Sequence, residues 1–290
     1  MTSEGRRAGD PGLVKPGRSR GLLDVPRYRY LLSLLVRKEV SIRYRGSVLG
    51  WIWSFAKPAA MFVVYYLALG VFLRLNDAIE GYPIYLFSGF VLMNLFTESF
   101  GNATRSLVDN AALIKKIYMP RELFPVSSTI VALVNFLPQV VVLFVAALIL
   151  GWHPTWEALG AFLLATVIAM VFATGLGMFF GSINVSFRDS QNFVELIIMV
   201  STWASPVLYQ LALVREAAPE WLFVLYQLNP LTPAVELMHL AFWEPTLDKP
   251  LPEPGAIGMF SLIAFLISFA VLFLGQLVFR RLEGRFAQDL

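Results

Sequence analysis

Six stretches of the chain stay apolar for long enough to cross a bilayer, whose hydrocarbon core of about 30 Å takes about 20 residues of helix. They cover residues 51–73, 83–100, 123–150, 159–181, 193–214 and 255–279. The third is long enough to tilt and offers Pro125 and Pro138 as kink positions, while the fifth contains Pro206. Between the fifth and sixth, residues 221–228 and 234–243 are apolar but too short to cross, and read as re-entrant or interfacial outer helices. Upstream lies residues 27–45, RYRYLLSLLVRKEVSIRYR, with a helical period. Tyr28, Leu31, Leu32, Leu35 and Ile42 share one face, Ser33, Arg37 and Ser41 lie opposite, and Glu39 intrudes on the apolar side. A basic amphipathic helix of this kind lies in the headgroup plane. The pattern therefore predicts an all-α integral membrane protein. A disordered tail (residues 1–26, rich in Gly, Pro and Arg) leads to an interface helix (27–46), a six-span domain (51–281) and a short tail (282–290).

Composition agrees: 57% of residues are apolar and 15% charged, with mean hydropathy +0.66, against roughly 25% charged in a soluble domain. Six crossings put both ends of the chain on one side, and the cations choose it. Of 23 Lys and Arg, only Arg74, Arg215 and Lys249 fall on the opposite face, so the ends are expected in the cytosol. The basic balance thus follows membrane topology and predicts no nucleic-acid partner. Most tryptophans sit at span boundaries, Trp51 and Trp53 at the inner one and Trp152, Trp156, Trp221 and Trp243 at the outer one, as an aromatic belt would. Trp203 is the exception, expected near the middle of span five.

The chemistry on offer is narrow. There is no cysteine, and His153 and His239 lack metal-ligand spacing, so no metal site is expected. No phosphate-binding Gly-x-x-x-x-Gly-Lys-[Ser/Thr] loop occurs, and Asp109, Glu122 and Asp189 are too scattered to hold a divalent ion for a membrane-embedded transferase. Lys57, Glu98 and Glu195 lie near the basic ends of spans, where long side chains reach the interface, which gives a proton- or sodium-driven carrier little support. Arg43, Arg45 and Lys57 are either plain surface anchors or a cationic cluster that attracts a phosphorylated lipid headgroup.

Several stretches together resemble the permease subunits of ABC exporters for polysaccharides, the type that moves O-antigen, capsule, teichoic acid or cell-wall galactan. Residues 36–58, VRKEVSIRYRGSVLGWIWSFAKP, are similar to the family's surface helix leading through Arg-Gly-Ser-x-Leu-Gly-x-x-Trp into span one. Residues 110–125, NAALIKKIYMPRELFP, resemble its segment after span two, and FRDSQN (187–192) its Arg-Asp turn before span five. SPVLY (205–209) and LNPLTP (228–233) resemble its outer-face signatures. The resemblance implies a bacterial plasma-membrane permease, not itself an enzyme and binding no cofactor. It would work as a homodimer with two copies of an ABC ATPase that holds ATP and Mg. It implies a coupling helix at Asn110, Leu113, Ile114, Lys115, Lys116, Ile117 and Arg121, with Arg188 and Asp189 as a second contact. By composition alone the first of these is equally a basic inner loop. The implied cargo is a polyprenyl-pyrophosphate-linked polysaccharide. Phe62, Tyr65, Tyr66 and Phe72 on one side of span one, with Trp203, would then line its conduit or else pack in the core. The short outer helices, marked by Trp221, Leu228 and Trp243, would form an outer gate. An exporter of the same architecture for a drug or simple lipid is the alternative.

Overall fold

The computed structural model describes residues 21–44, 53–117, 119–247 and 257–290, and these residues form helices and turns with no strand among them. In chain order they are α1 (Arg29–Tyr44), α2 (Trp53–Tyr65), α3 (Leu75–Ala78), α4 (Tyr82–Asp109), α5 (Ala111–Lys116), α6 (Leu123–Ile149), α7 (Trp156–Ser186), α8 (Ser190–Trp203), α9 (Leu211–Ala217), α10 (Glu220–Leu228), α11 (Leu231–Phe242), α12 (Ile257–Leu282) and α13 (Phe286–Asp289). Among the described residues, four helical stretches are long and apolar enough to cross a membrane: α4, α6, α7, and α12 with its continuation to Arg285. They correspond to expected spans two, three, four and six. Their ends are set locally. Gly81, at φ +65°, turns the chain into α4, and Pro83 sits in the first turn of that helix, where a missing N–H costs nothing. The Thr155 hydroxyl accepts from the Ala158 amide to cap α7.

The other two expected spans differ. The first is α2 prolonged by a π-helical stretch, Tyr66–Phe72, so a single apolar run is built in two helical forms. The fifth is not one helix. α8 stops at Trp203, and residues 204–210 turn before α9 begins. Pro206 cannot donate to a helical ladder. The carbonyls left open are taken by side chains: Asn229 Nδ2 donates to the Ala204 carbonyl at 2.8 Å, and the Tyr82 hydroxyl to the Leu208 carbonyl at 3.2 Å. The Tyr85 hydroxyl lies 2.7 Å from the Tyr209 carbonyl and 2.8 Å from that of Pro206. Irregular backbone at membrane depth is tolerated where protein groups satisfy it in this way.

The core is centred on α4, α7 and α11. α11, expected as a short outer helix, is among the most buried elements, with Leu231, Ala234, Val235 and Met238 fully enclosed. Gly89 of α4 lets it approach: a Cβ there would sit 3.3 Å from both Val207 and Val235. α7 and α12 meet backbone to backbone, since a Cβ on Gly275 would lie 2.2 Å from the Gly175 carbonyl oxygen. Two of the expected belt tryptophans belong to this core. Trp152 Nε1 donates to the Ala241 carbonyl and Trp243 Nε1 to the Glu80 carbonyl, both at 2.7 Å, while Trp156 is exposed.

A second cluster fills the basic end of the bundle, where Leu35, Ile114, Leu123, Phe124, Val185, Phe279 and Phe286 meet. It also corrects the expected disordered tail. From Gly21 to Tyr28 the chain is a 3-10 helix, because Val25 is buried against that cluster with Leu22 beside it. Residues 1–20 and Arg45 to Ile52 lie outside the described residues.

Candidate functional site

The basic end gathers the residues that sequence marked for coupling. Asn110 joins α4 to α5, and its backbone carbonyl accepts from the amides of Leu113 and Ile114 and so starts α5. Asn110 is itself buried, its amide donating to the Ser106 carbonyl at 2.8 Å and its Oδ1 accepting from Lys38 of α1. α5 is a short helix of 6 residues, fewer than two turns, and its faces divide sharply. Ile114 points into the bundle, Leu113 is half-buried, and Lys115, Lys116 and Ile117 face outward. A cleft of about 200 Å³ opens between α5 and the start of α6, lined by Lys115, Lys116, Arg121 and the apolar Ile117, Met119 and Phe124. Its lining combines three cationic side chains with apolar ones. Arg188 and Asp189 are exposed in the turn from α7 to α8 at this same end. They are tied to the bundle by Ser190, whose hydroxyl bonds Asn184 Oδ1 at 3.1 Å, and by Asn184, whose amide reaches the Thr104 carbonyl at 3.4 Å.

α1 is fixed against this end by three polar contacts. Besides Lys38 to Asn110, the Glu39 carboxylate accepts from the hydroxyls of Ser127 and Ser128 at the start of α6, at 2.9 and 3.3 Å. Burial pushes the Glu39 carboxyl above its usual value, while the two hydroxyls and the Lys38 charge act against that rise. The third contact is Arg43, which pairs with Glu98 of α4. Glu98 therefore has a partner within the chain while remaining partly exposed. Asn135 Nδ2 also donates to it at 2.6 Å. Behind them the chain of amides continues, Gln139 to the Asn135 carbonyl at 3.3 Å and Asn94 to Gln139 at 3.2 Å. Of the expected phosphate-attracting cations, Arg43 is thus engaged by a carboxylate, Lys57 is exposed on α2, and Arg45 lies outside the described residues.

Of the expected conduit aromatics, three come together. Phe62 packs edge-on against Phe87 of α4 at 5.0 Å and stacks with Tyr66 at 6.1 Å, and Tyr65 meets Phe90 at 6.0 Å. Phe72 and Trp203 are 77% and 54% exposed, and Trp203 is the last residue of α8. The gate residues also divide. Trp221 and Leu228 on α10 are exposed, whereas Trp243 sits edge-on to Tyr85 at 4.9 Å inside the core.

With this arrangement in place, comparison with known proteins is decisive. Residues 30–243 match the ABC-2 type transporter family. The chain belongs to that family. This transporter is 30% identical over 263 residues to the O-antigen export system permease protein RfbA of Myxococcus xanthus, covering 91% of this chain and 96% of the relative. To a protein of the same description from Klebsiella pneumoniae it is 27% identical over 264 residues, covering 90% and 96%. A shorter match, 24% over 165 residues, joins it to the capsule polysaccharide export inner-membrane protein CtrC of Neisseria meningitidis, covering 54% of this chain and 60% of the relative. With four apolar candidate spans, the transporter is a multi-pass membrane protein. Sequence reading missed the Arg43–Glu98–Asn135–Gln139–Asn94 chain. Its signal was present, since Asn94 and Glu98, like Asn135 and Gln139, stand four apart on apolar helices and so share a face.

Proposed function

We propose that this chain is the membrane permease of an ATP-driven exporter that carries a lipid-linked polysaccharide from the cytosol across the bacterial inner membrane. The carrying observation is its near full-length similarity to O-antigen export permeases. The exposed, cationic α5 face beside the Arg188 turn supports the same reading, because it offers a separate motor something to grip. In this reading the chain crosses six times, α2 and α8 with its following turn completing the set. Its basic end faces the cytosol, and two copies assemble with two ATPase subunits that hold ATP and Mg.

Lys115, Lys116 and Ile117 would seat in the motor, with Leu113 and Arg121 at the edge of the contact and Arg188 and Asp189 making the smaller one. Ile114 and Asn110 position α5 from within. The polyprenyl pyrophosphate would meet Arg43, Arg45 and Lys57 at the inner leaflet, where Glu98 orients the Arg43 guanidinium and leaves its remaining N–H groups for phosphate. Sugars would slide past Phe62 and Tyr65 of α2, Tyr66 and Phe72 of the π-helical stretch that prolongs it and Trp203 of α8, with α10 as the outer gate. Purified permease with its ATPase, reconstituted in lipid vesicles, tests this. A lipid-linked glycan is expected to stimulate ATP hydrolysis and appear on the far side, and Ile117→Asp is expected to abolish co-purification of the ATPase. Stimulation by a drug or simple lipid but by no lipid-linked glycan would overturn the reading.

A further inference from the structure

The segment that follows α12 does not trail away from the bundle. Glu283–Arg285 forms a 3-10 turn and Phe286–Asp289 is α13. A helix this short has no stability of its own, so its order comes from what it touches. Phe286 is 1% exposed, set edge-on to Phe279 at 5.2 Å. Arg121 approaches from the other connection: its guanidinium lies over the Phe286 ring, 5.7 Å from the centroid, and donates to the Glu283 carbonyl. At the far side of the segment, the Ser186 hydroxyl at the end of α7 donates to Asp289 Oδ2 at 2.6 Å.

We propose that Glu283–Leu290 is a clasp that joins the α5–α6 connection to the α7–α8 turn, so that the two surfaces offered to the motor move as one. The segment is held by one contact at each end. Arg121 lines the cleft behind α5, and Ser186 stands two residues before Arg188. Phe286 is the positioning residue, because its burial holds both ends in reach and its ring fixes the Arg121 plane that forms one rim of the cleft. The proposal rests on the reading of Lys115–Ile117 and Arg188 as motor contacts.

The absence of cysteine from the sequence gives a direct test. In the full permease–ATPase complex, Phe286→Ala is expected to lower glycan exported per ATP hydrolysed by about five- to tenfold, with ATPase co-purification unchanged and Phe286→Tyr close to native. Adding Ser186→Cys and Asp289→Cys to the Phe286→Ala background supplies a replacement link: oxidation is expected to restore the ratio and reduction to remove it again. Unchanged export per ATP in Phe286→Ala overturns the clasp, as does a loss that the oxidised pair fails to rescue. Should Phe286→Ala not fold, the Cys pair in the native background decides: it is expected to cross-link readily in membranes, and failure to do so overturns the placement. Retention of the ATPase by Ile117→Asp would instead strike the motor-contact reading, while the cross-link would still report the clasp.

Discussion

At the scale of single residues, Glu39 shows how an apparent fault in a pattern becomes a contact. It breaks the apolar stripe of α1 because that stripe lies against the hydroxyl-bearing start of α6 rather than against lipid alone. Ile42, expected on the same stripe, is exposed. Since burial raises the Glu39 carboxyl above its usual value of 4.5, the docked form binds a proton more tightly than the undocked one. Docking of α1 therefore strengthens as pH falls through the raised value, the gain being complete below the undocked value and absent above the docked one. Thermal unfolding in detergent at a series of acidic to neutral pH values is expected to show this contribution in the native protein and to lose it in Glu39→Gln. A second residue-scale expectation concerns Gly275, which faces the Gly175 carbonyl with no room for a Cβ. Gly275→Val is expected to force α7 and α12 apart and to cost at least about 1–3 kcal/mol, read as a lower unfolding midpoint and poor accumulation in membranes.

At the scale of elements, what was legible followed from length. α4, α6, α7 and α12 are found where continuous apolar runs placed them, because a helix that must satisfy its own backbone in lipid has to be long and apolar. Span five misled for the opposite reason. Its hydropathy is continuous, but the Ser205–Pro206 pair interrupts the ladder, and the open carbonyls are satisfied by Tyr82, Tyr85 and Asn229, partners at least 25 residues away in sequence. No local pattern announces such partners. For α11 the pattern gave the length, too short to span, but no hint that Gly89 would admit it so close to α4. Tyr85→Phe removes one donor and leaves the carbonyls of the turn short of a partner. It is expected to destabilise the protein by about 1–3 kcal/mol, measurable by thermal unfolding, with little change in helix content by circular dichroism.

At the scale of the whole molecule, the candidate site was legible as a segment but not as a surface. NAALIKKIYMP marked the segment proposed for the motor contact, while the division of its faces depended on Leu35, Leu123 and Val185, which fold in from three other parts of the chain. That division separates two variants that sequence alone treats alike. Ile114→Asp places a charge in the core and is expected to unfold the basic end, whereas Ile117→Asp is expected to leave the permease intact and release the ATPase, as size-exclusion chromatography and pull-down would show. The glycine contact between α7 and α12 carries a further consequence. With the two backbones this close at Gly175 and Gly275, any side chain added there would part them, and in the proposed transport cycle this pair would serve as the frame. Displacement would then fall on the lightly seated pieces: α2, none of whose described residues is buried, and α8, which ends in a turn held by side chains. A passage for a bulky polymer would widen along those two and leave the frame unmoved.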